Sequence, residues 1–125
     1  MGRLYPKDID VHTVSPLALA LIGDGVYEMM VREKLVCDAN RSANELHKAA
    51  VKLVRAEAQS AAMDILEPML TEKELAVYKR GRNAHTARNS REYHRATGLE
   101  ALFGYIYLEG NIDRIRELFD ACMNG

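Results

Sequence analysis

A chain of 125 residues, 48% hydrophobic and 28% charged, holds enough apolar material for one domain with a core of its own. Two cysteines, Cys37 and Cys122, without metal-ligand spacing around either, argue against a disulfide framework and for a reducing compartment. The formal net charge of -1 conceals a segregation: KRGRNAHTARNSREYHR, from Lys79 to Arg95, holds six Lys or Arg against one Glu and carries +5, leaving -6 for the remainder. The natural partner of such a segment is a polyanion.

The opening MGRLYPKD lacks the charged-then-apolar pattern of a signal peptide, and Pro6 stands where a myristoylation motif needs Ser or Thr. No uncharged apolar run is long enough to cross a bilayer, so a cytoplasmic protein without membrane contact is expected. Ser15 followed by Pro16 is a helix start, an N-cap side chain before proline at the first helical position. That helix is expected to run to about Leu35 or Val36. A second, beginning near Ser42 or Asn44, is expected to continue through ELHKAAVKLVRAEAQSAAMDIL to Leu66, since Leu46, Ala50, Leu53, Val54, Ala61 and Ile65 keep helical spacing. TEKE, from Thr71 to Glu74, has capping-box spacing and opens a shorter helix that Gly81 would end. Asn83 to Arg91 reads as a mobile loop, YHRATGLEALFGYIYLEG as a helix, and Asn111 or Asp113 as the start of a last amphipathic helix through Ile112, Ile115, Leu118 and Phe119. No segment alternates as a strand does, so the class is all-α.

Two helices carry acids at odd places. In LALALIGDGVYEMMVREKL, Asp24 stands between two glycines, each costing a helix interior on the order of 1 kcal/mol. At 100° per residue it shares a face with Leu17, Ala20, Leu21, Glu28, Val31 and Leu35, and so should point toward a packed surface. The other side, through Ala18, Ile22, Val26 and Met29, is apolar too, which requires either central burial or a second subunit. Glu100 repeats the pattern on the later helix, on a face with Tyr93, Ala96, Phe103, Gly104 and Tyr107. Glycines on both helices permit close backbone approach, which makes Asp24 and Glu100 candidate neighbours.

Converging carboxylates need a shared proton or a cation between them, and magnesium is commonly held by one or two carboxylates, waters and substrate phosphates. A structural role for both acids remains the simpler alternative from pattern alone. Phosphodiester hydrolysis would join them to the basic segment: Asp24 and Glu100 for the metal, Lys79, Arg80, Arg82, Arg88 and Arg91 for the backbone grip. A stripe of Lys48, Lys52 and Arg55 with Gln59 follows i, i+4, i+7 spacing, and an ordinary solvated face explains it equally well. His47, His85 and His94 lack zinc spacing, and there is no Ser-His-Asp arrangement. His85 is a candidate phosphate or base contact, as is Asn83, while His47 reads as a core or helix-surface residue.

LIGDGVYE together with TGLEALFGYIYLEG resembles the two signature segments of the ribonuclease III catalytic domain. With SPLALALIGDGVYE, NELHKAAVKLVRAEAQ, LTEKELAVYKRGRNA and RATGLEALFGYIYLEG in the expected order, the chain resembles the Mini-III branch of that family. The resemblance implies one catalytic domain over residues 1–125, its core about 15–122, in a dimeric helical bundle with no separate double-stranded-RNA-binding domain. It implies a magnesium-dependent endoribonuclease, with manganese as a substitute, that cuts double-stranded RNA to leave 5′-phosphate and 3′-hydroxyl ends. The branch's substrate is precursor large-subunit ribosomal RNA, and a ribosomal protein on that substrate is a candidate partner. Asp24 and Glu100 match the family's metal-binding acids. Where most members carry two further glutamates and an aspartate, this chain has Leu17, Ala20 and Thr97, losses shared by the Mini-III branch. A non-catalytic duplex-RNA-binding module and a purely structural helical dimer are the rival readings.

Overall fold

A computed structural model describes residues 2–84 and 90–124. The chain forms α1 (Pro16–Asp38), α2 (Ala43–Val54), α3 (Ala56–Leu66), α4 (Glu72–Arg82), α5 (Arg91–Leu108) and α6 (Ile112–Asn124), with short 3₁₀ turns at Val11–Thr13 and Glu67–Met69. No strand occurs among the described residues, so the all-α expectation holds.

Local chemistry explains the starts. Ser15, Ser42 and Ser90 each accept a backbone N–H of the first turn of the helix that follows, satisfying a donor that would otherwise have no partner. Thr71 and Glu74 close the capping box in both directions. Gly110, with φ 80°, turns the chain after α5, and Asn111 Oδ1 then accepts from the backbone N–H of Arg114.

The centre is α5, buried continuously from Arg95 to Leu99 and from Ala101 to Ile106, with α1, α3 and α4 packed around it and α6 laid against the bundle through Ile115, Leu118 and Phe119. Gly98 and Gly104 each weaken this helix by about 1 kcal/mol. Full burial of Leu99, Leu102, Phe103 and Ile106 contributes roughly 1.5–3 kcal/mol apiece, so packing outweighs propensity. Tyr27 of α1 joins the centre edge-on to Phe103 and to Phe119, with centroids 5.2 and 5.6 Å away.

Four expectations change. The single helix from Ser42 to Leu66 breaks at Arg55, whose extended backbone (φ -68°, ψ 158°) caps α2 and opens α3. The break lets the apolar side of α2 lie on α1 while α3 turns its buried face, Gln59, Ala62, Met63 and Leu66, onto α5; one straight helix could not reach both. Gly81 does not end α4 but lies buried inside it, where an added Cβ would stand 2.5 Å from the Ala101 Cβ. It is a packing glycine, needed because α4 crosses α5 closely. Arg91 opens α5 rather than closing a loop, and His85 and Arg88 lie outside the described residues. Finally, the buried side of α1 runs through Leu19, Ala20, Gly23, Tyr27, Val31 and Leu35, which leaves Asp24, Leu17 and Leu21 exposed rather than facing the core.

Candidate active site

The site begins where α1 crosses α5. A Cβ placed on Gly23 would lie 1.6 Å from the Glu100 carbonyl oxygen, and one on Gly104 would lie 1.9 Å from the Leu19 carbonyl oxygen. The two backbones therefore touch, an approach only glycine permits at these positions. This crossing brings the short side chain of Asp24, on the exposed margin of α1, beside the carboxyl of Glu100.

Burial, and next the neighbouring Asp24 carboxylate, push the Glu100 carboxyl from the usual carboxylate range up to about 8. Gln59 of α3, 1% exposed, stands close enough to favour the charged form in part. Its Nε2 makes no well-formed hydrogen bond and is the one buried side-chain polar atom without a partner among the described residues. Two carboxylates held this close need a shared proton or a cation, and the Gln59 amide stands next to Glu100 without a well-formed hydrogen bond to it. That donor set fits a hard divalent ion held by two carboxylates, with its other positions left to water and phosphate oxygens. Among the described residues no group of three or more His, Cys, Asp or Glu could hold a metal by itself.

Leu17 is exposed, Ala20 is buried, and the Thr97 hydroxyl donates to the Tyr93 carbonyl of its own helix at 3.1 Å.

Of the basic residues singled out in the sequence, Lys79 and Arg80 are exposed on the last turn of α4 and Arg91 on the first turn of α5. Arg82 sits 5.6 Å over the Tyr78 ring and donates from Nε to Asn83 Oδ1 at 3.2 Å. Arg82, Asn83 and Arg91 line a cavity of about 600 Å³ at the α4–α5 end of the bundle, together with Asp64, Glu67, Tyr78, His94 and Arg95. Lys48 and Lys52 are exposed on α2 and Arg55 at its end, but Gln59 does not continue their stripe, because the break at Arg55 turns it inward. His47 is exposed on α2.

Arg95 belongs to the +5 segment by charge but not by placement. It is 6% exposed, and its guanidinium donates to Asp64 Oδ1 at 2.7 Å, Ser60 Oγ at 3.0 Å and the Tyr78 hydroxyl at 3.4 Å. Its charge ties α3 and α4 to α5. The signal was present in AEAQSAAMDIL, where Gln59 and Ser60 interrupt an apolar helix and imply polar partners inside.

Paired acids at the crossing of two central helices, with basic residues at the α4–α5 end of the same all-α scaffold, fit a class: nucleases that act on a polyanionic backbone. Residues 17–111 match the Ribonuclease III domain family. A Mini-ribonuclease 3 of Symbiobacterium thermophilum is 46% identical over 87% of this chain and 88% of its own length. That of Streptococcus pneumoniae is 38% identical over 92% of this chain and 95% of its own. The crystal structure of a Fusobacterium nucleatum protein, 28% identical, superposes with a TM-score of 0.83 over 93% of this chain and 97% of that one. The chain belongs to the ribonuclease III family, in its Mini-ribonuclease III branch, and is an endoribonuclease of that type. Enzymes of this family act on double-stranded RNA and generally use a divalent metal.

Proposed function

We propose that this chain is a magnesium-dependent enzyme that cuts double-stranded RNA, leaves 5′-phosphate and 3′-hydroxyl ends, and matures precursor large-subunit ribosomal RNA in the cytoplasm. The observation that carries the reading is the Asp24–Glu100 pair, set side by side at a backbone-to-backbone helix crossing. Asp24 and Glu100 hold the ion, and manganese can replace it. Magnesium bound there supplies charge neutralisation at the reacting phosphate and an activated water.

The remaining work falls to the chain's own cations. Lys79, Arg80, Arg82, Asn83 and Arg91 grip one stretch of phosphate backbone, and Lys48, Lys52 and Arg55 a second. His85 and Arg88 add contacts from the segment between α4 and α5. Contacts of this kind read A-form shape more than sequence, and they weaken steeply with salt. A ribosomal protein seated on the precursor is a candidate partner in presenting the stem.

Two protomers pair through the outer face of α1. Leu21, Ile22, Val26 and Met29 line a groove of about 770 Å³ there, and Leu21 is 76% and Met29 60% exposed, which is unusual for large apolar side chains that have no partner. The dimer sets one acid pair against each strand of the duplex.

The test is incubation of the purified protein with a duplex carrying a ribosomal-precursor stem, with magnesium or with chelator, beside Asp24→Asn and Glu100→Gln. Cleavage is expected only with magnesium, and each variant should lose roughly 100-fold or more in rate. Undiminished cleavage by both variants would place the chemistry elsewhere. Binding without cutting under every condition would instead support a non-catalytic duplex-RNA-binding module on this fold.

A further inference from the structure

We propose that Gln59 is a positioning residue for Glu100, donating from Nε2 to one oxygen of that carboxylate and so fixing how it presents itself to the cation it shares with Asp24. The inference rests on the metal-site reading above and adds to it a residue that is not itself a ligand.

A buried donor without a partner destabilises a fold by about 1–3 kcal/mol, and a methionine or leucine of similar size would avoid that loss. The Gln59 side chain is 1% exposed and its Nε2 is sealed from solvent, with no partner among the described residues. A sealed atom cannot reach a duplex. What it can reach is Glu100, beside which it lies.

Its placement is rigid. The next residue, Ser60, accepts from Arg95 Nη1 at 3.0 Å, and Asp64, one turn further along α3, accepts from Arg95 Nη2 at 2.7 Å. Arg95 stands five residues before Glu100 on α5, so these contacts lock α3 alongside the stretch of α5 that carries the acid. Ser60 and Asp64 are used in holding the helices together, whereas the Gln59 amide is held in register and left over. A carboxylate ligand normally has its second oxygen hydrogen-bonded, and loss of such an outer partner typically weakens metal affinity by about 10- to 100-fold.

The experiment is manganese binding to the free protein, followed through loss of the free-ion electron paramagnetic resonance signal, for wild type, Gln59→Leu, Gln59→Met, Asp24→Asn and Glu100→Gln. Thermal unfolding without metal and KM and kcat on duplex RNA are measured alongside. We expect Gln59→Leu to melt at or above the wild-type temperature without metal. It should bind manganese about 10-fold or more weakly and lose kcat with KM for RNA little changed. The flexible Gln59→Met repeats the test should leucine not fit. Wild-type manganese affinity in the folded Gln59 variants, with binding lost in Asp24→Asn and Glu100→Gln, would overturn the role of Gln59 and leave the metal site standing. Unchanged affinity in all four variants would overturn both.

Discussion

The two sides of α1 are both apolar in sequence, yet they are built for different neighbours. The side toward α5 is stripped to glycine and alanine at the crossing, so that backbone meets backbone and side chains begin again only at Tyr27. The opposite side carries Leu21, Ile22 and Met29, large apolar side chains left exposed, with Val26 half-buried against the core beside them. Asp24 sits on the boundary between them. One helix thus fixes an acid against α5 by contact on one face while leaving apolar side chains exposed on the other, and close packing rather than polarity marks the side where the proposed acid pair forms. The difference teaches that apolar periodicity alone cannot say which face is core.

The largest effect should come from breaking the crossing itself. Gly23→Ala puts a methyl group 1.6 Å from the Glu100 carbonyl oxygen, where the obstacle is backbone of another helix and cannot rotate away. Overpacking of a core typically costs about 1–3 kcal/mol, and more when backbones must separate. For a domain of this size, about 3 kcal/mol or more corresponds to a fall in melting temperature of roughly 10 °C or more, which is the effect expected here because backbones must separate. Calorimetry checks it, and a melting temperature within a few degrees of wild type would mean that α1 and α5 do not need to touch.

The sequence made the helices legible wherever a local device sets them. Ser15–Pro16 and the Thr71–Glu74 capping box each act through neighbouring residues, and each starts its helix as expected. The break at Arg55 was not legible because apolar spacing continues across it. The turn is imposed by two separate surfaces, α1 and α5, each claiming half of the segment. For the same reason Gly81 read as a stop, when its use lies in the approach of Ala101 from another helix. At the site, Asp24 and Glu100 could be paired from the glycines on their two helices, although the face expected for Asp24 was the wrong one, but the Arg95 network and the sealed amide of Gln59 depend on distant residues meeting. A charge count says nothing of where Arg95 points, and its partners Ser60, Asp64 and Tyr78 come from two other helices.

A smaller effect is expected from the other side of the helix. Met29→Glu places a charge in the middle of the apolar groove without touching the core, so the isolated chain should keep its stability within about 0.5 kcal/mol. Self-association should weaken by about 30-fold or more, the consequence of losing roughly 2 kcal/mol at the centre of an interface. Sedimentation velocity over a concentration series reads this directly. An unchanged dissociation constant would mean that the copies pair elsewhere, and a large loss of monomer stability would mean that this face is core after all.

The smallest effect sharpens the comparison most, because it uses the second glycine beside the same acid. Gly25 has nothing within 4 Å of where its Cβ would stand, so the argument that forbids a methyl group at Gly23 does not apply two residues later. Gly25→Ala should therefore stabilise the chain through helix propensity, by up to about 1 kcal/mol, or a rise of about 4 °C. Because Gly25 also lines the outer groove, the substitution is best made twice, in the wild-type chain and in Met29→Glu. A gain in both backgrounds would show that Gly25 is a local concession of the helix with no packing purpose. A gain only in Met29→Glu would show that the partner subunit takes up the space the missing side chain leaves, which would make Gly25 to the dimer what Gly23 is to α5.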